Sequence, residues 1–74
     1  MTQLPTLKPR KLIKLLQSLG FENVRQEGSH IFFKHPDGRT TVVPFHAGKD
    51  IGRGLLRDIL DEIKMTPKDF QKLL

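Results

Sequence analysis

Two apolar stripes at helical spacing, one near each end of the chain, constrain the fold more than any other feature. Leu12, Leu15, Leu16 and Leu19 fall at i, i+3, i+4 and i+7, and Leu56, Ile59, Leu60 and Ile63 repeat the pattern. Each stripe is one face of an amphipathic helix and must be buried against something. The stretch between them has a different period. Glu22 to Gln26 alternates weakly, with Val24 as the inward side chain. His30 to His35 carries Ile31, Phe32 and Phe33 in succession, so periodicity does not decide its buried face. Arg39 to Pro44 holds the β-formers Thr40, Thr41, Val42 and Val43. Pro36-Asp37-Gly38 between these runs is a strong turn signal, which makes His35 to Arg39 the tip of a hairpin.

Punctuation sharpens the reading. Pro9 suits the first turn of a helix running to Leu19, Gly20 suits its left-handed cap, and Phe21 is placed to fold back on the last turn. Phe45-His46-Ala47-Gly48 reads as a loop, and Gly52 and Gly54 stand at the entrance of the second helix. Thr66-Pro67-Lys68-Asp69 is a fresh N-cap with proline first and an acid in the first turn. It predicts a short third helix that folds Phe70, Leu73 and Leu74 onto the core. The expected fold is α+β, ordered α-β-β-β-α with a short C-terminal helix. A three-stranded antiparallel sheet carries both long helices on one face and leaves the other open. This is the order of double-stranded-RNA-binding domains, although order alone does not establish function.

Seventy-four residues make a single domain, 1–74, near the lower limit for independent folding. A core of this size rarely supplies more than about 3–5 kcal/mol of net stability. With no cysteine, neither a disulfide nor a thiolate metal cage can staple it. Met1 to Pro9 lacks an apolar leader and no apolar run approaches a membrane span, so the expected location is the cytoplasm. Thirteen Lys and Arg against eight Asp and Glu give a net charge of +5, which favours polyanionic partners. Basic residues crowd Lys8-Pro9-Arg10-Lys11 and continue through Lys14, Arg25, Lys34, Arg39, Lys49, Arg53 and Arg57. Acids gather late, at Asp58, Asp61, Glu62 and Asp69. The asymmetry predicts a basic face or end.

Histidine is the only side chain here that titrates unperturbed near neutral pH. His30 follows Gly28-Ser29 at the start of the second strand, His35 precedes the turn, and His46 follows the third strand. A hairpin turning at Pro36 to Gly38 brings His30 toward the Pro44 to His46 segment. It leaves His35 about 17 Å away, at roughly 3.4 Å per residue. The glycine allows close approach of a backbone or phosphate, and Ser29 is placed to satisfy a backbone group at the turn. His35 and His46 read as solvated loop-edge groups, with His46 also a second proton carrier should it lie near His30. Metal ligation is not supported: there is no HExxH, no cysteine, and His35 is too remote. Nor is there a nucleophile triad or a Walker-type phosphate loop. RNA, however, carries its own nucleophile, the 2′-hydroxyl. One imidazole and a few cations can process it without a cofactor.

Gly28-Ser29-His30 followed by Phe32 and Phe33, then His35-Pro36-Asp37-Gly38-Arg39, then Val43-Pro44-Phe45-His46, resembles the HicA (YcfA-like) toxin family of bacterial toxin–antitoxin systems. Asp50-Ile51 and Gly54-Leu55-Leu56-Arg57-Asp58-Ile59-Leu60 are similar to that family's G-T-L-R-x-I-L segment. The resemblance spans roughly Leu12 to Phe70. It implies a double-stranded-RNA-binding-domain-like fold, metal-independent cleavage of mRNA with no cofactor, and neutralisation by a HicB-like antitoxin covering the active site. It also implies that His30, in the G-S-H motif, is catalytic. Two departures stand out: Leu55 occupies a usual threonine position, and Lys64-Met65 replaces a common glycine.

The expected function is therefore that of an mRNA endoribonuclease toxin, monomeric when free. His30 is the general acid or base, His46 a second proton carrier, and Gly28 and Ser29 the supporting motif. Lys11, Lys34, Arg39, Lys49, Arg53 and Arg57 are candidate RNA contacts. The alternatives are a non-catalytic RNA-binding module of the same fold, or an interaction protein docking a partner on its open sheet face.

Overall fold

The computed structural model describes residues 4–74. Of the Met1 to Pro9 segment read above for a leader, positions 1–3 lie outside the described residues. The elements run α1 (Pro9–Ser18), β1 (Glu22–Glu27), β2 (His30–Lys34), β3 (Thr40–Pro44), α2 (Arg53–Glu62) and α3 (Pro67–Gln71), the expected order. The strands form one antiparallel sheet with β2 in the centre. Among the described residues no helix is long and apolar enough to cross a membrane.

Both long helices stop the same way. After α1, the Phe21 N–H donates to Leu16 O and the Gly20 N–H to Gln17 O, each at 3.0 Å. This double closure satisfies the last carbonyls and requires a left-handed residue at Gly20, whose φ is +100°. After α2, Met65 donates to Leu60 O at 3.0 Å and Lys64 to Asp61 O at 3.2 Å. Lys64, with φ 59°, takes the glycine's place.

Pairing across β2 assigns the sheet faces. Ile31 pairs with Val43 and Phe33 with Thr41. All four are buried, and Ile31, Phe33 and Val43 share one core with Leu12, Leu16, Leu56, Ile59, Leu60 and Ile63 from the helices. Thr41 keeps its hydroxyl satisfied by donating to Glu62 Oε1 at 2.9 Å. His30, Phe32 and Lys34 alternate onto the opposite, open face.

Val24 corrects the sequence reading: it is 57% exposed, not inward. Asn23 pairs with Phe33 but Arg25 with Phe32, so the β1 register slips by one at Val24. A two-against-one bulge turns both residues at the slip toward one side of the sheet. The Arg25 guanidinium consequently lies 4.4 Å above the Phe32 ring.

Two more features differ from expectation. Thr66 caps α3, accepting from the Asp69 N–H at 3.1 Å, and Phe70 is buried, but Leu73 and Leu74 remain 40% and 47% exposed. Having ended at Gln71, α3 is a single turn with room for one inward residue. At the other end, Leu4 and Leu7 belong to the core. Leu7 exchanges backbone hydrogen bonds with Ile51, and the Arg53 Nε–H donates to Leu4 O at 2.7 Å. This strap sets the starts of α1 and α2 side by side.

Candidate functional site

The β1–β2 connection is a two-residue turn, Gly28-Ser29, closed by the pairing of Glu27 with His30. Its first residue needs positive φ, and Gly28 has φ +57°. Nothing lies within 4 Å of the position a Gly28 Cβ would occupy. The glycine therefore serves the turn rather than a close approach by another part of the chain.

The turn delivers His30 to the open face at the start of the central strand, paired across β3 with Pro44. Its ring is exposed, and among the described residues it has no hydrogen-bond or ion-pair partner. A strand histidine with a structural role would hold such a bond; this one leaves both ring nitrogens to solvent or a ligand.

Ser29 reaches a different partner from the one expected. Its carbonyl accepts the Phe45 N–H at 2.6 Å, while its hydroxyl lies 3.5 Å from His46 Nε2, at the outer limit of a hydrogen bond. The side chain thus faces His46 rather than a turn backbone group. Through these contacts the Gly28-Ser29-His30 segment and the Phe45-His46 loop are held together. That loop forms one wall of a cleft of about 220 Å³, whose other wall is Lys8, Pro9 and Arg10.

The cations divide between two ends of the molecule. Lys8, Arg10 and Lys11 surround the start of α1, which has neither a side-chain cap nor an acid in its first turn. The strap brings Lys49 and Arg53 beside them at the start of α2, although Arg53 already donates from Nε to Leu4 O. Arg57 follows one turn along α2. Cations at a helix N-terminus oppose its macrodipole, at about 0.3–1 kcal/mol each when exposed, so this arrangement is not explained by stability. Lys34 stands at the far end of β2, four residues or about 13 Å from His30 at strand rise. Arg39 is turned inward: it donates to Ile63 O at 2.6 Å and Asp37 Oδ2 at 2.8 Å, and lies 5.1 Å over the Phe21 ring.

His35 is not the solvated loop-edge group that its sequence position suggested. It is half-buried, with Nε2 3.1 Å from Leu19 O, Nδ1 3.1 Å from the Asp37 N–H, and its ring edge-on to Phe21 at 5.0 Å. A Cβ on Gly20 would come within 2.9 Å of its Nε2. The Asp37 carboxyl beside it is held below its ordinary value of 3.8, mainly because it accepts the Arg39 N–H. Partial desolvation opposes this, while the Arg39 side chain and the His35 ring reinforce it. His35 therefore ties the hairpin tip to the end of α1, and two histidines remain at the opposite end.

Reasoning from sequence missed Lys8, Arg10 and Phe45 as components of the cleft. The basic run before α1 was visible; its apposition to the Phe45–Asp50 loop depends on the Leu7–Ile51 pairing, for which Leu4 and Leu7 were the only signal.

Fold and site together define a small basic α+β protein with an exposed histidine on its open sheet face. Residues 9–65 match the family described as HicA toxin of bacterial toxin–antitoxin. The chain belongs to that family, and is therefore a toxin component of a toxin–antitoxin system. No curated protein matches it.

Proposed function

We propose that this toxin is an endoribonuclease that cleaves mRNA without a metal, with His30 as the general base. The observation that carries the reading is His30: exposed, without a partner among the described residues, and paired with Pro44 beside the loop whose cleft gathers Lys8, Arg10 and Lys49. In this reading His30 takes the proton from a ribose 2′-hydroxyl. The oxygen attacks the adjacent phosphorus, the P–O5′ bond breaks, and the products are a 2′,3′-cyclic phosphate and a 5′-hydroxyl. The leaving oxygen takes a proton from His46 or from water. Cations nearby stabilise the charge that develops on the phosphate. General-base assistance of this kind contributes about 10²–10⁴-fold.

Lys11, Lys49, Arg53 and Arg57 remain RNA contacts in this reading; Lys34 would contact a distant part of the strand, and the engaged Arg39 guanidinium is assigned to the hairpin. A HicB-like antitoxin that covers the open face would mask His30. Its acidic groups would suit the +5 charge. The free toxin acts as a monomer in the cytoplasm. The competing reading, a non-catalytic RNA-binding module, is favoured by fold and charge but leaves the unpartnered His30 without a role.

Incubation of the protein with long single-stranded RNA in EDTA, beside His30→Ala, separates the two. We expect cleavage by the parent and at least a hundredfold loss in the variant, whose exposed site leaves the fold intact. Equal cleavage by both would overturn the role of His30, and RNA bound but uncut by the folded parent would establish the binding module.

A further inference from the structure

Of the residues lining the cleft between the start of α1 and the Phe45–Asp50 loop, only His46 has a part in the proton transfers above. The lining combines three cations, Lys8, Arg10 and Lys49, with His46, the half-buried Phe45 and one carboxylate, Asp50. At about 220 Å³ it is smaller than the roughly 300–1,000 Å³ of sites for drug-sized ligands. That leaves room for one flat ring. An aromatic face beside several cations is the combination with which proteins hold unpaired nucleotides. The base stacks on the ring and the backbone phosphates meet the charges.

The position of Phe45 is what ties the cleft to the chemistry. Its N–H donates to Ser29 O at 2.6 Å, and the residue before it, Pro44, pairs with His30. On its other side it packs against the core. Phe45 is thus fixed relative to His30 by backbone contacts rather than by a mobile side chain. The cleft therefore adjoins the end of the sheet that carries His30, one residue from the His30–Pro44 pair. His46, 3.5 Å from Ser29 Oγ, joins the cleft lining to the turn that precedes His30.

Resting on the ribonuclease reading, we propose that this cleft is a subsite for an unpaired nucleotide flanking the scissile phosphate. Phe45 stacks its base, and Lys8, Arg10 and Lys49 hold its phosphates. The substrate must then be single-stranded at the cut, because a paired base cannot leave its stack for Phe45. This requirement sets the protein apart from double-stranded-RNA readers of similar element order, which use shape and backbone contacts.

The test is fluorescence anisotropy with a short labelled single-stranded RNA, every 2′-hydroxyl methylated so that cleavage cannot compete. The parent is compared with Lys8→Ala/Lys49→Ala, Phe45→Leu, and a control, Lys68→Ala/Lys72→Ala, on and just after α3. Circular dichroism checks each fold, and the Lys8/Lys49 pair, being exposed, keeps the test valid if Phe45→Leu unfolds. We expect the Lys8/Lys49 variant to lower the slope of log K against log salt by about 1.4, from two single-strand phosphate contacts. Phe45→Leu should weaken binding about 5- to 150-fold, and the control should match the parent. The same RNA annealed to its complement should bind more weakly and be indifferent to Phe45→Leu. A parent that cleaves RNA while the cleft variants bind like it would overturn the subsite alone. A folded parent that neither binds nor cleaves would overturn the ribonuclease reading with it.

Discussion

At Lys64 a side chain occupies a backbone conformation that glycine adopts freely. Its φ of 59° closes α2 just as Gly20 closes α1, and the same pair of hydrogen bonds completes the motif. A left-handed non-glycine residue costs about 1–2 kcal/mol, partly offset by the smaller entropy it loses on folding. Lys64→Gly should therefore raise stability by about 1 kcal/mol, seen as a melting temperature higher by about 4–8 °C in a domain of this size. An unchanged melting temperature would mean that this turn carries no strain. The departure from the family's glycine was legible in the sequence; its backbone meaning was not, because φ is set by the closing hydrogen bonds. His30 and Val24 show the same limit. Alternation along β2 needed a known inward partner before His30 could be placed outward, and the one-residue slip at Val24 reversed an otherwise sound pattern.

The β2–β3 hairpin was the most legible element, since Pro36-Asp37-Gly38 determines its tip locally. His35 donates its N–H to Arg39 O at 2.8 Å and its carbonyl accepts from Gly38 at 2.9 Å. Less legible was what the tip holds. Asp37 accepts from Arg39 through both backbone and side chain, and Arg39 continues to Ile63 O at the end of α2. The tip therefore clasps the ends of both long helices. Because the folded Asp37 pKa lies below the unfolded one, its contribution is fully present above the unfolded value, near 3.8. It disappears as pH falls through the depressed folded value. Urea midpoints measured as pH falls through this range should decline more steeply in the parent than in Asp37→Asn, which lacks the titrating group. Parallel curves would show that Asp37 adds nothing to the acid limb.

Over the whole molecule, the strap before α1 decides where charge accumulates. Leu4 and Leu7 are 6% and 8% exposed, and both precede residue 9, where the family match begins. Their burial adds apolar contacts to a core with little to spare, and it draws the cationic starts of α1 and α2 together. Leu7→Ala should cost about 2–3 kcal/mol. In a domain this small that is a large share of the total, so thermal denaturation should begin well below the parent's. A loss under 0.5 kcal/mol would mean that the strap is not part of the cooperative core.

Several properties were settled by the sequence alone. Apolar spacing determined the two long helices, turn and cap residues determined where elements end, and the motifs from Gly28 to Leu60 determined the family. These are local properties, carried by residues near one another along the chain. Tertiary structure decided the rest: the bulge that exposes Val24, the inward roles of His35 and Arg39, and the cleft joining Lys8 and Arg10 to Phe45 and His46. Each depends on contacts between residues far apart in sequence, made only when the helices and the strap bury their apolar faces on one side of the sheet. That same burial leaves His30 on the other side, without a partner among the described residues.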